Sequence, residues 1–266
     1  MIIIHTIYED SCRHLMKISS GFTLSPPHEP VENAQAIDIP NNQYGDLRSM
    51  SIARHVSSAE LTDLFLSLVA LVIAFSILGE RRLPGAEAIL ITALGVGTGF
   101  LLHELAHKFV AMHFGYWAEY RANRMGLILV VAMAFVGFIF AAPGAVMISR
   151  TSAPRNFYSL DTFGQEELMK QEKREELLIS LAGPMTNIIL AIAFFLVLVG
   201  GAVAADSLWQ QASGFALFIN LTLAAFNLLP FGPLDGKKIY DSNRTVWALV
   251  GVPTILAALP VYLGMI

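Results

Sequence analysis

Residues 86–114 read AEAILITALGVGTGFLLHELAHKFVAMHF, an apolar run interrupted by His103, Glu104 and His107. Positions i and i+4 of a helix lie one above the other, so His103 and His107 share a face and Glu104 sits beside them. Ionisable groups at bilayer depth cost on the order of 3 kcal/mol each, so three within five residues need a shared purpose. Two imidazoles on one face suit a divalent ion, and the carboxylate between them suits proton transfer to and from its water. A satisfied polar cluster between packed helices is the alternative.

Around this stretch, 55% of the 266 residues are hydrophobic and 14% charged. Mean hydropathy is +0.59, which points to an all-α polytopic membrane protein. The net charge of −4 and the lack of a long basic run exclude nucleic acid as an expected partner. Cys12 is the single cysteine, so neither an internal disulfide nor a cysteine zinc knuckle can form. Residues 1–57 carry Pro26, Pro27, Pro30 and Pro40 among scattered polar groups without periodicity and read as a partly flexible leader. Residues 58–266 read as one membrane-embedded domain.

Apolar segments run from Leu61 to Gly79, Ala86 to Phe114, Gly126 to Ile148, Leu177 to Gly200, Gly214 to Leu229 and Thr245 to Ile266. If all six crossed fully, His107 and the best third-ligand candidate, Asp235, would face opposite sides of a hydrocarbon layer about 30 Å thick. Both fall on one side if Gly126 to Ile148 instead enters and returns, as a helix to Phe140 and an extended piece from Ala141 to Ser149 broken at Pro143-Gly144. The expectation is therefore five to six transmembrane helices with a small re-entrant or β element near the site. Charge supports it: Arg48, Arg54, Arg121, Arg124, Arg150, Arg155, Lys170, Lys173, Arg174, Lys237, Lys238 and Arg244 fall inside, leaving Arg81 and Arg82 outside. The turn at Ala204 to Asp206 would be external and the mixed-charge segment from Asp161 to Glu176 an amphipathic or solvated inner loop.

Extended backbone at membrane depth needs a hydrogen-bonding partner. The edge formed by Pro143, Gly144, Ala145 and Val146 is expected either to receive an unwound substrate segment as an added strand or to close a small internal sheet. His113 resembles a third ligand by spacing, but without a glycine at Val110 the helix continues and turns it about 240° from His107. Glu119 is a further contender, set among Tyr116, Trp117, Tyr120, Arg121 and Arg124, which read as an interfacial belt. Asn227-Leu228-Leu229-Pro230-Phe231-Gly232-Pro233-Leu234-Asp235-Gly236 is more informative, because its prolines and glycines unwind a helix end and aim Asp235 back toward a metal. A simple exit turn capped by Asp235 is the other reading of that element.

His103 to His107, the Asn227 to Gly236 element, and Ala182-Gly183-Pro184 with Asn187 opening the helix between them resemble the site-two proteases. These are membrane-embedded zinc metalloproteases that carry out regulated intramembrane proteolysis, and the resemblance covers most of the chain after Leu61. It implies one Zn2+ held by His103, His107 and Asp235, Glu104 as catalytic acid/base, and a transmembrane protein as substrate. It also implies a site near the cytosolic face of the bilayer. Lys237 departs from the second glycine common at that position. Asn227 is a candidate for the substrate backbone or the oxyanion, with an interhelical bond as its alternative, and Asn187 is read as supporting helix packing. A prokaryotic plasma membrane is the default location, with the N-terminus inside, and nothing in the chain sets an oligomeric state. The rival from another class is a membrane metal-ion carrier or sensor, which uses the same ligands but leaves Glu104 idle.

Overall fold

A computed structural model describes residues 56–80, 85–137, 143–150, 162–205 and 207–262. Expectations placed on the leader before Val56, on Arg81 and Arg82, on Phe138 to Ala142, on Arg155 and on Asp206 lie outside the described residues. Those residues belong to the compact unit His55–Ile266.

The first helix, α1 (Ser58–Glu80), begins where Ser57 Oγ accepts the Glu60 N–H at 3.0 Å, a side-chain cap on an otherwise unpaired amide. Next, α2 (Ala86–Val96) runs into a π-helical turn (Gly97–Leu101) and then α3 (Leu102–His113), together an unbroken helical stretch of 28 residues. The sequence predicts a uniform helix here. The widened turn coincides with Gly95, Gly97 and Gly99, and Thr98 Oγ1 donates to the carbonyls of Leu94 and Gly95 at 2.8 and 3.1 Å, competing with the helical ladder. A π turn takes in one extra residue, which rotates everything after it by about 100° relative to an uninterrupted helix. The direction in which His103 and His107 face is therefore set by this turn.

Tyr116–Ala122, where the sequence suggests an interfacial belt, forms strand β1, and it pairs antiparallel with β2 (Gly144–Arg150), Tyr116 opposite Arg150 and Ala122 opposite Gly144. Between the strands lies α4 (Arg124–Val136), shorter than the expected helix to Phe140 because Gly137 ends it in a left-handed conformation, φ 89°. The Asn123 N–H donates to Pro143 O at 2.8 Å, so the chain leaves the sheet and returns to the same point, as the enter-and-return expectation requires.

The long helix α5 (Thr162–Val199) spans 38 residues with Pro184 inside it. Two expectations are corrected here: the segment after Asp161 is helix rather than loop, and Ala182-Gly183-Pro184 lies mid-helix rather than at a helix start. The last helices are α6 (Leu208–Asn227), the short α7 (Asp235–Ser242) and α8 (Arg244–Tyr262). Among the described residues, three helices are long and apolar enough to cross a membrane: Ser58–Leu78, Ala86–His113 and Gly164–Val199. The expected five to six spans are thus matched by three, with α4 and Arg244–Pro260 as shorter apolar helices. α6 has the length but carries Gln210, Gln211, Ser213 and Asn220.

Close packing brings the site together. A Cβ at Gly95 would lie 2.9 Å from Phe215 Cε1, and one at Gly99 would lie 2.9 Å from Ile219 Cγ2, so α2 and its π turn press directly onto α6. Small residues one turn apart permit such approach. α3 packs on α5, and α5 on α6 and α7. Leu71, Val72, Ile77, Val96, Phe100, Tyr120, Val130 and Ala134 form the main apolar core. Tyr120 belongs to it: it is 1% exposed, meets the Phe100 ring edge-on at 5.7 Å and donates its hydroxyl to Ser67 at 3.0 Å.

A buried ion pair joins Lys108 to Glu60, whose second oxygen accepts the Tyr120 N–H at 3.1 Å. Removing one partner of such a pair strands a charge, whereas neutralising both does not. Lys108→Met is therefore expected to destabilise the protein by about 3–5 kcal/mol, and adding Glu60→Gln should restore most of that loss. Unfolding midpoints in detergent micelles check both.

Candidate active site

His103 and His107 project from α3 on one face, as the i, i+4 spacing predicts, and both are buried. Asp235 arrives from a different direction. α6 ends at Asn227, and the chain turns through Leu228 to Leu234, with Gly232 at φ 64°. The turn folds so tightly that a Cβ at Gly236 would lie 2.6 Å from Leu229 O. Trp247 of α8 donates its indole N–H to Leu228 O at 2.8 Å and holds the turn from behind. Asp235 thus becomes the first residue of α7, capped by Leu234 rather than serving as the cap itself.

The three groups converge. His103 Nε2 and His107 Nε2 are 3.1 Å apart, and Asp235 Oδ2 is 3.4 Å from the first and 3.1 Å from the second. Three acceptor lone pairs would repel at these distances, so either a proton or a cation must lie among them. Zinc sits about 2.0–2.1 Å from such ligands, and the corners of a tetrahedron of that size are about 3.3–3.4 Å apart, so the donor set fits the ion. The second ring nitrogens are also engaged: His107 Nδ1 lies 2.7 Å from Ile179 O, and His103 Nδ1 lies 3.2 Å from the Asn187 side-chain amide. Partners of this kind fix a ring so that its other nitrogen faces the metal. Burial alone would raise the Asp235 carboxyl, but the two imidazoles beside it outweigh that and hold the group well below the usual carboxylate range. Lys238, one turn on, reaches Oδ1 at 3.7 Å.

α5 forms the floor. A Cβ at Gly183 would fall 2.6 Å from both Cε1 and Nε2 of His103, so only glycine lets the long helix lie flat against the two rings. Neither Gly183 nor Asn187 was given a part in the site by the sequence reading. A glycine and an amide four residues apart share a helix face, but the sequence does not say which helix that face meets.

Glu104 opens into a cavity of about 330 Å³ that it shares with His103, His107 and Asp235. Among the described residues its carboxylate has no hydrogen-bond or ion-pair partner, leaving it available for a water. Pro143, Gly144, Ala145 and Val146 line the same cavity along β2, and Asn227 lies on its wall. Asn227 donates to Leu223 O at 3.0 Å within its own helix. Leu71, Phe75, Val96, Phe100 and Ile219 make much of the remainder apolar.

The other ligand contenders stay out. His113 ends α3 with its ring against Phe114, 5.5 Å between centroids. Glu119 is buried on β1, where it accepts from Ser57 and pairs with Arg121 at 2.9 Å.

Residues 91–204 match the family model of Peptidase family M50, a span that includes His103 to His107 and Gly183 to Asn187 but ends before Asp235. A protein of Methanocaldococcus jannaschii, provisionally named a zinc metalloprotease, is 39% identical over 207 residues, covering 77% of this chain and 95% of its own length. A Bacillus subtilis protein, YwhC, with the same provisional description is 32% identical over 160 residues, 53% of this chain and 64% of its own. No solved structure matches. A metal-fitting triad with an adjacent unpaired carboxylate is what a metallopeptidase requires, and with relatives of this extent the chain belongs to Peptidase family M50.

Proposed function

We propose that this protein is an intramembrane zinc endopeptidase of the site-two type, cutting peptide bonds in or beside transmembrane segments of membrane-protein substrates. The observation that carries the reading is a single cavity holding the two-histidine, one-aspartate triad, the free Glu104 carboxylate and the β2 edge, set among helices of membrane-spanning length. The distribution of arginine and lysine supports a site facing the cytoplasm.

When bound by His103, His107 and Asp235, zinc supplies Lewis acidity, bringing the ionisation of water toward neutral pH and polarising a carbonyl. The chain's own groups do the rest. Glu104 takes the proton of the attacking water and returns it to the leaving amine nitrogen as the peptide bond breaks. Helical peptide bonds are shielded by their own hydrogen bonds, so a substrate must be held extended. Among the described residues β2 has β1 on one side only, in a two-stranded sheet. Its other edge can take up the unwound segment through main-chain hydrogen bonds. Asn227, which lines the same cavity, is read as the partner of the substrate backbone or the developing oxyanion.

Purified protein reconstituted into lipid vesicles with single-span test substrates provides the experiment. Cleavage within the span, abolished by a zinc chelator and restored by zinc, supports the reading. Cleavage confined to soluble peptides would sink the intramembrane part of it. Ala145→Asp places a charge on the exposed strand edge and is expected to reduce cleavage about tenfold or more while zinc content stays unchanged. Unaltered cleavage by that variant would remove β2 from substrate binding.

A further inference from the structure

Asn187 is fully buried on α5 and lies against the face of His103 that points away from the triad. Its Nδ2 is 3.2 Å from His103 Nδ1, whereas its Oδ1 is buried without a hydrogen-bond partner. A buried carbonyl oxygen left unpaired costs about 1–3 kcal/mol, so this arrangement calls for an explanation. A neutral imidazole that gives Nε2 to a metal carries its one proton on Nδ1 and can only donate there. An amide N–H turned toward an Nδ1–H would set donor against donor.

A half-turn about the terminal torsion of Asn187 exchanges its oxygen and nitrogen without changing the shape of the side chain. It brings Oδ1 to the Nδ1–H of His103 and turns the amide NH2 into the place the oxygen held, so the contact with the ring changes from donor against donor to donor against acceptor. We infer that Asn187 is a positioning residue of the metal centre, whose amide oxygen accepts the Nδ1–H of His103 and so keeps Nε2 directed at the metal. Ile179 O does the corresponding work for His107, so each ring is held by one acceptor from α5, eight residues apart. Gly183 lies midway between them and lets the helix come close enough for both contacts.

The inference rests on metal binding at the triad, not on what is cleaved. The test compares zinc retention by wild-type protein in detergent, measured by competition with a chromogenic chelator, with retention by Asn187→Leu and Asn187→Asp. Cobalt-substituted samples of each report ligand geometry through their visible absorption. Aspartate is an acceptor and cannot donate when ionised, so Asn187→Asp should hold zinc within a few-fold of wild type and keep the cobalt spectrum. Asn187→Leu, close in volume but without an acceptor, should hold it about 10–100-fold more weakly.

A residue needed only for packing predicts the reverse order, with leucine tolerated and the buried acid disruptive. Wild-type protein that binds no zinc overturns the metal reading and this role together. Zinc-binding wild type with the reverse order overturns the role of Asn187 alone. Should Asn187→Leu fail to fold, the aspartate variant still decides: loss of zinc or of the cobalt spectrum in it defeats the proposal.

Discussion

Glu104→Gln is expected to retain a full complement of zinc and lose cleavage by about 10²–10⁴-fold, the range a positioned general base supplies. Glutamine keeps the length and volume of the side chain and can still accept a hydrogen bond from water, but it cannot take up the proton. Glu104 ligates nothing: the metal-fitting donors are Nε2 of His103, Nε2 of His107 and Oδ2 of Asp235. The substitution therefore separates chemistry from metal binding. Single-turnover cleavage of a vesicle-embedded substrate, with metal content measured on the same preparation, reads both quantities. Cleavage within tenfold of wild type would show that another group takes the proton. Full metal translocation across vesicles by the variant would favour an ion carrier.

Gly183→Ala is expected to be as damaging by a different route. Alanine favours a helix over glycine by about 1 kcal/mol, so on local grounds α5 should be stabilised. The added methyl must nevertheless occupy space 2.6 Å from His103 Nε2, closer than real Cβ contacts allow. Backbone of a 38-residue helix cannot yield as a side-chain tip can, so the rings must shift. Displacement of a catalytic group by about 1 Å is enough to cost roughly 10²-fold in rate. The expected result is loss of stoichiometric zinc and at least that drop in cleavage, with helical content by circular dichroism unchanged. A variant that binds zinc normally would mean that α5 is not seated against the histidine pair.

The ligand triad was legible in the sequence because each part has a local cause: the shared face of His103 and His107 follows from helical pitch, and the approach of Asp235 follows from prolines and glycines that end α6. The turning back of the segment around Pro143 was legible through the conflict it resolved. What sits behind the ligands was not. Gly183 and Asn187 acquire their roles only once α5 lies opposite α3, and that pairing is a tertiary fact with no local signature. Likewise β1 alternates Tyr116, Ala118, Tyr120 and Ala122 against Trp117, Glu119 and Arg121, a strand pattern. Its aromatic and basic content instead suggested residues at a lipid boundary. Of the expected crossings, three are matched among the described residues by helices long and apolar enough, while Gly126 to Ile148 holds the shorter helix α4 and α6 carries polar residues along its length.

The hydrogen bond from Asn123 to Pro143 ties the two ends of the α4 excursion at its neck. Between them α4 is seated on the core through Val130 and Ala134, so the excursion is pinned both at its neck and along one face. Its outward residues, Met125, Ile128, Phe135 and Val136, remain exposed. Their surroundings can consequently vary while the neck and the buried face hold β2 at its station beside Glu104.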